Sequence, residues 1–305
     1  MLFVCLGTGV LSVSAIAQEQ AAKEEAAGVN PALQVPEKDW HALQQQQSWA
    51  QAKLDTIKLR NEWVKIKSGD REIKAWVVYP KQKRAPVVLV LHEAFGMTNS
   101  TRLTAAEIAS MGYIAIAADM VSGYGPNHGN ADSFTEPGTL TYVLAHLPDE
   151  AVNADINALG DYADKLPESD GKLAIVGLSW GGGAAFRYVT TQHREDLKAI
   201  FVFYDIGPPK ETQKIADAAS PLPVEGISVP VYGFYPTHDK RTMSGLPATR
   251  EAMTAAGKFF EATVYNDADH AFLRVYEDPS NANPANEAAF KDAMKRLETD
   301  LKKIG

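Results

Sequence analysis

Six short, continuous apolar runs recur along the second two-thirds of the chain, and they constrain its fold more than any other feature. They are "PVVLVLH" (86–92), "YIAIAAD" (113–119), "LAIVG" (173–177), "AIFVFY" (199–204), "VPVYGFY" (229–235) and "FFEATVY" (259–265). Each is rich in β-branched and aromatic residues and apolar at consecutive positions, the pattern of strands buried on both faces of a parallel sheet. Segments with helical periodicity lie between most of them, at 101–111, 149–165, 181–192 and 246–256, and a last one at 284–303 closes the chain. Ahead of the first run, "EWVKIKSGDREIKAWVVYP" alternates polar and apolar residues around Ser68-Gly69-Asp70, which predicts an antiparallel hairpin. Two hairpin strands followed by six buried ones predict an α/β sandwich: a mostly parallel eight-stranded sheet with helices on both faces, in one domain over 61–305.

The 305 residues are 45% hydrophobic and 22% charged, enough apolar content for a full core. A formal net charge of −8 with no dense Lys/Arg block excludes nucleic acid as the expected partner, because binding phosphates needs concentrated positive charge. The opening "MLFVCLGTGVLSVSAIAQEQ" carries no charge before Glu19 and ends its apolar stretch in Ala15-Ile16-Ala17, an A-x-A cleavage pattern. Residues 1–17 are therefore expected to be a signal peptide, lacking the usual early Lys or Arg, and the mature protein to be periplasmic or secreted. About 15 apolar residues are too few for a membrane anchor, so no membrane association is expected after cleavage. Cleavage would also remove Cys5, the single cysteine, and with it any disulfide, thiol nucleophile or cysteine metal ligand. Residues 18–60 read as a leader followed by an amphipathic helix through Trp40, Leu43, Ala50, Leu54 and Ile57, interrupted by Gln47. Nothing in the sequence defines an oligomeric state.

Ser179 lies in Gly177-Leu178-Ser179-Trp180-Gly181, a G-x-S-x-G between an expected strand and an expected helix. A sharp strand-to-helix turn lifts such a side chain clear of the sheet, and flanking glycines leave room for neighbouring backbone. The helix that follows presents its first amides and positive dipole end to a nearby oxyanion. A serine hydroxyl needs a base, and the base an orienting acid. Of seven histidines only His193, His238 and His270 follow Ser179. His193 falls at the end of the expected helix and suits a capping role. His270 follows the last strand, at the carboxyl edge where sites in open α/β sheets gather, and is the expected base. Asp239 and Asp205 both follow strands on that edge as candidate acids. Asp239 is favoured because its position commonly supplies the acid in this architecture. Asp267 and Asp269 read as loop-capping residues; with His270 they also form a weak metal pattern, without a second ligand cluster. No metal and no cofactor is expected.

The element "VLHEAFGM", with His92-Glu93-Ala94-Phe95-Gly96 after the first buried strand, resembles the H-E-x-F-G element of the dienelactone hydrolase family. The resemblance continues through "YIAIAADM", "GLSWGGG", "VYGFYPTHD" and "DHAFLR", in the same order over residues 60–303. It implies a compact α/β-hydrolase domain that cleaves esters or lactones with a nucleophile-His-Asp triad. Residue by residue it implies Ser179 as nucleophile, Asp239 as acid, His270 as base, the Ala94 and Trp180 amides as oxyanion donors, and Glu93 beside the nucleophile. Well-known members carry cysteine within G-x-C-x-G-G where this chain has Ser179. In them the glutamate helps govern thiol ionisation; a serine has no preformed anion, which leaves Glu93 to orient loops or bind a substrate group. Those members also hold a substrate carboxylate with two arginines. Arg274, four residues after the histidine, is retained, whereas "DMVSG" places Gly123 at the other position, a departure from dienelactone specificity.

The expected activity is hydrolysis of a small carboxylic ester or lactone through an acyl-enzyme, in a pocket lined by Phe95, Tyr124, Trp180 and Phe272. The Gly/Pro/Asn-rich stretch 121–147 reads as a loop running into a short apolar segment, either gating the substrate or lying on the surface. The competing expectation is a non-catalytic small-molecule binding protein on the same fold. Expressed from its full sequence in an exporting bacterium, the chain should give a periplasmic product beginning at Gln18. Intact mass and N-terminal sequencing check this; a cytoplasmic product that retains Met1 contradicts it.

Overall fold

A computed structural model of the chain describes residues 47–136, 138–206, 223–281 and 283–304. The expected signal peptide and leader, with Trp40 and Leu43, lie outside the described residues. The hairpin forms as β1 (Asn61–Ser68) and β2 (Arg71–Val78), with Ser68 opposite Arg71 across Gly69-Asp70. The six apolar runs become β3 (Ala85–Leu91), β4 (Ile114–Ala118), β5 (Ser169–Leu178), β6 (Leu197–Phe203), β7 (Val231–Pro236) and β8 (Phe260–Tyr265). They join one eight-stranded sheet in the order β1-β2-β4-β3-β5-β6-β7-β8. β2 is antiparallel to β1 and β4, and every other pair is parallel.

Helices α1 (Ser48–Leu54), α2 (Asn99–Ser110), α3 (Thr139–His146), α4 (Asp149–Lys165), α5 (Trp180–Thr191), α6 (Lys240–Ala255), α7 (Phe272–Val275) and α8 (Pro284–Leu301) pack around the sheet. Strand periodicity decides which core each side chain enters. On β3, Val87, Leu89 and Leu91 join Leu140, Leu144, Val152, Ile156, Leu159 and Phe186 from α3, α4 and α5. Val88 and Val90 point the other way, to Ala50, Leu103, Ile108, Phe272 and Leu297 from α1, α2, α7 and α8. β3 is buried at every position, which is why its sequence is continuously apolar rather than alternating.

Three segments depart from or add to the sequence reading, the first being the amphipathic helix expected through Ile57, which ends at Leu54. α6 begins at Lys240 rather than 246: Gly245 and Pro247 make the segment look broken, but the Asp239 side chain accepts the Thr242 amide and starts the helix earlier. The short apolar segment into which the 121–147 loop runs, left without an assigned element by the sequence, coils into α3 and buries Leu140 and Leu144. No helix among the described residues is long and apolar enough to cross a membrane.

Parallel pairing brings the ends of five strands to one edge. Leu91 lies beside Gly177, Leu178 beside Phe203, Phe203 beside Phe234 and Pro236 beside Tyr265. The loops after β3, β5, β7 and β8 therefore leave the sheet together. A buried polar knot braces the β1–β2 end of this edge. Asp155 of α4, 1% exposed, accepts from Ser68 Oγ (2.5 Å) and twice from Arg71 (2.7 and 2.8 Å), while Arg71 also donates to Ser122 O. Removing one partner of such a knot leaves the others buried and unpaired, at a cost of about 3–5 kcal/mol. Asp155→Ala should lower stability by about that much, read as a lower urea midpoint; an unchanged midpoint would contradict the bracing role.

Candidate active site

Ser179 sits at the junction of β5 and α5 with φ 50° and ψ −114°, a left-handed backbone that a side-chain-bearing residue rarely adopts. Such a conformation costs on the order of 1–3 kcal/mol and persists only where its surroundings hold it. Here the Ser179 amide donates to Phe203 O (3.0 Å) and the Gly181 amide to His92 O (3.1 Å). The glycines are required by close approach. A Cβ on Gly177 would lie 2.3 Å from Gly181 O, and one on Gly181 would lie 2.4 Å from Leu91 O. The N-terminus of α5 is thus pressed against the end of β3.

Asp239 follows β7 and His270 follows β8. His238 N donates to Ala268 O (3.1 Å) and Thr237 N to Tyr265 O (3.0 Å), which holds the two loops side by side. The Ser179 Oγ to His270 Nε2 distance is 2.9 Å, and His270 Nδ1 lies 2.7 Å from Asp239 Oδ2. A carboxylate can only accept, so Nδ1 carries the proton and Nε2 is left to accept from the serine hydroxyl. The imidazole is partly open to solvent, while the Asp239 side chain is buried.

Burial pushes the Asp239 carboxyl upward, but hydrogen bonds and charge from His270 and Thr242 outweigh it and bring the group down to about 2. The Thr242 hydroxyl donates to Oδ2 at 2.6 Å and its amide to Oδ1 at 3.1 Å. Reading the sequence alone missed Thr242, although a Thr three residues after an Asp at a helix start was a usable capping signal. Asp205, the other candidate acid, pairs with Arg241 at 2.8 Å. His193 lies at the far end of α5, 3.3 Å from Ser228 Oγ. The Asp269 carboxylate takes hydrogen bonds from His238, Asn283 and Asn286, tying the His270 loop to α8.

Ala94 follows β3, and Trp180 is the first residue of α5, so its amide lies outside the intrahelical ladder. Glu93, 5% exposed, pairs through Oε2 with Arg274 Nε at 2.7 Å, and the Arg274 guanidinium stands over the Phe95 ring at 5.4 Å. Glu93 Oε1 and the nearby Tyr204 hydroxyl are both buried and have no third hydrogen-bond partner among the described residues. Burial, and then the Glu93 charge, raise the Tyr204 phenol well above its usual range. The Tyr204 ring, fully buried 5.2 Å from that of His270, backs the site from the core, and no local pattern pointed to it.

The expected pocket lining needs correction. Phe272 is fully buried, edge-on to Tyr204 and Tyr265, and supports the site from the core rather than lining it. Tyr124 packs its ring on the Arg71 guanidinium at 4.0 Å. The Trp180 indole donates to Leu144 O (2.9 Å) and stacks on His92, so it joins α3 to the elbow. Thr141 Oγ1 of α3 also donates to Ala94 O (3.3 Å). Gly123, where an arginine was compared, has the Arg71 side chain against it, 2.9 Å from where a Cβ would stand.

A serine in a strained strand-to-helix turn, a histidine and a buried aspartate on the carboxyl edge of this sheet define a hydrolase class. The model of the dienelactone hydrolase family matches residues 73–304, and the chain belongs to that family. It is accordingly a carboxylic ester or lactone hydrolase of the dienelactone hydrolase type. Among its relatives, a Salmonella typhi protein named "putative carboxymethylenebutenolidase" is 29% identical over 76% of this chain and 83% of its own length. The carboxymethylenebutenolidase of Pseudomonas putida is 28% identical over 52% of this chain and 67% of its own. A solved Klebsiella pneumoniae "putative dienelactone hydrolase" is 25% identical, covers 80% of this chain and 98% of that one, and has a TM-score of 0.66.

The depressed Asp239 pKa has a consequence for stability. Its value in the folded chain lies below the unfolded value of about 3.9, so the stability it contributes is present above pH ~4 and is lost as pH falls through about 2. The stability gap between wild type and Asp239→Asn, measured by urea unfolding, should therefore narrow as pH drops from about 4 towards about 2. A gap that widens over that range would reverse the sign of the linkage.

Proposed function

We propose that the protein is an exported serine hydrolase that cleaves small carboxylic esters or lactones through an acyl-enzyme. One observation carries the reading: the unbroken path from Ser179 Oγ to His270 Nε2 at 2.9 Å and from His270 Nδ1 to Asp239 Oδ2 at 2.7 Å. Ser179 attacks the substrate carbonyl as its proton passes to His270 Nε2. The amides of Ala94 and Trp180 receive the oxyanion, with the α5 dipole aiding them. Collapse of the tetrahedral intermediate breaks the ester bond. The imidazolium protonates the departing alkoxide, which leaves as an alcohol or stays tethered if a lactone ring has opened. His270 then deprotonates water, which attacks the acyl carbon; the second intermediate collapses by breaking the Ser179 Oγ–acyl bond, the imidazolium returns its proton to Oγ, and the carboxylic acid leaves. Asp239 remains ionised throughout and holds the imidazole in its tautomer.

Serine in place of a thiol makes conventional general-base work by His270 necessary. Glu93, paired with Arg274, is then a support for the loop that carries Ala94 rather than a partner of a preformed anion. With no side chain at Gly123 and Arg274 already paired, the reading assigns uncharged small esters or lactones rather than a substrate gripped by its carboxylate. Export rests on residues 1–17.

Turnover of short-chain nitrophenyl esters and simple lactones tests the assignment. Ser179→Ala should lower kcat on the order of 10⁶-fold, and a fluorophosphonate should label wild type at Ser179, located by peptide mapping. Asp239→Asn should cost far more activity than Asp205→Asn. Wild type no faster than Ser179→Ala across ester lengths and lactones would instead favour a non-catalytic binding protein.

A further inference from the structure

His92 is fully buried, and both of its ring nitrogens are engaged. Nδ1 lies 2.6 Å from Glu93 O, and Nε2 lies 3.1 Å from the Met120 amide nitrogen. A backbone amide only donates and a carbonyl only accepts, so these neighbours dictate the tautomer: Nδ1–H donates to Glu93 O, and Nε2 accepts from Met120 N–H. The imidazole can meet both only as the neutral form. Burial favours that form by pushing its pKa down to about 4.

The carbonyl that His92 grips belongs to the same peptide plane as the Ala94 amide. In a trans peptide the C=O and N–H point in opposite directions, and the described residues contain no cis bond. Holding Glu93 O towards the ring therefore turns Ala94 N–H away from it. The other oxyanion donor meets the same residue by a second route. His92 O accepts from Gly181 N (3.1 Å), the amide next to that of Trp180, and the His92 and Trp180 rings stack at 5.5 Å and 19°. The Met120 anchor is itself held in place, because the neighbouring Asp119 carboxylate accepts from Val121 N and Ala131 N.

We propose that His92 is a positioning residue for the oxyanion hole, aiming the Ala94 amide through its ring and the start of α5 through its carbonyl. The proposal rests on the reading of Ala94 and Trp180 as the oxyanion donors. His92 has no exposed surface from which to meet substrate. It acts by keeping two amides 86 residues apart in sequence, those of Ala94 and Trp180, in one orientation before the oxyanion forms.

The test compares two variants on a short-chain nitrophenyl ester. His92→Phe keeps a ring against Trp180 but can neither donate nor accept. His92→Gln supplies one donor and one acceptor at similar reach. His92→Phe should lose on the order of 10²-fold in kcat, the scale of losing one oxyanion donor, with KM within about threefold of wild type. His92→Gln should recover most of that loss, to within about tenfold of wild type. A general structural role would lower thermal stability in both without separating kcat from KM. A folded His92→Phe with wild-type kcat, or with only KM raised, overturns the proposal. So does a His92→Gln that melts like wild type but is as slow as His92→Phe. If His92→Phe does not fold, His92→Gln decides alone, and a folded protein slowed by more than about 10²-fold overturns it. Ser179→Ala is measured alongside. Turnover surviving that change overturns the serine reading and the oxyanion role together. An inactive Ser179→Ala with a fully active His92→Phe overturns only the role given to His92.

Discussion

The absence of a Cβ at Gly181 lets the first turn of α5 touch the end of β3, where any side chain would lie 2.4 Å from Leu91 O. Much of the site depends on that contact. It allows Gly181 N to bond His92 O, and it is accompanied by the left-handed backbone at Ser179 that raises the hydroxyl above the sheet edge. It also sets the first amides of α5 beside the loop that carries Glu93 and Ala94. The local conformational cost at Ser179, on the order of 1–3 kcal/mol, is offset by the packing of β3, β5 and α5 into a core buried at every position of β3.

Electrostatics then separate two acidic groups with different tasks. Asp239 lies beneath His270 and is held ionised by the imidazole and by Thr242. Glu93 lies in a drier place, with one oxygen on Arg274 and the other buried near the Tyr204 hydroxyl. A buried ion pair is weak evidence of stabilisation, because desolvating both charges consumes most of the attraction between them. The Glu93–Arg274 pair is better understood as a link between the loop after β3 and α7, which begins two residues beyond His270. Through it the loop that carries Ala94 and the loop that carries His270 are mechanically joined.

Strand runs were legible because a strand covered on both faces must be apolar at successive positions, and all six appear within a few residues of their expected limits. The G-x-S-x-G turn was legible because its glycines answer a steric demand local to the elbow. α3 was not, since eight residues carry too little periodicity to separate a helix from a loop, and its two buried leucines are explained only by what they pack on. The start of α6 was hidden by Gly245 and Pro247, although the Asp239 to Thr242 spacing marked it. Phe272 shows the opposite error: an aromatic next to a site histidine reads as pocket lining, whereas the tertiary packing turns it into the core.

By itself, the sequence determined the α/β layering, the strand-to-helix elbow at Ser179 and the candidates for base and acid. Each of these is written in local pattern: two-sided apolar runs, glycines at fixed offsets, polar residues just after strands. The tertiary structure seats Asp239, the acid the sequence favoured, against His270 and Asp205 against Arg241, and it alone decided that Thr242 and Tyr204 complete their surroundings and that His92 holds the Glu93–Ala94 peptide. Those choices depend on strand order and on register across β5, β6, β7 and β8, and the contacts they create join residues far apart in the chain, which no local pattern specifies.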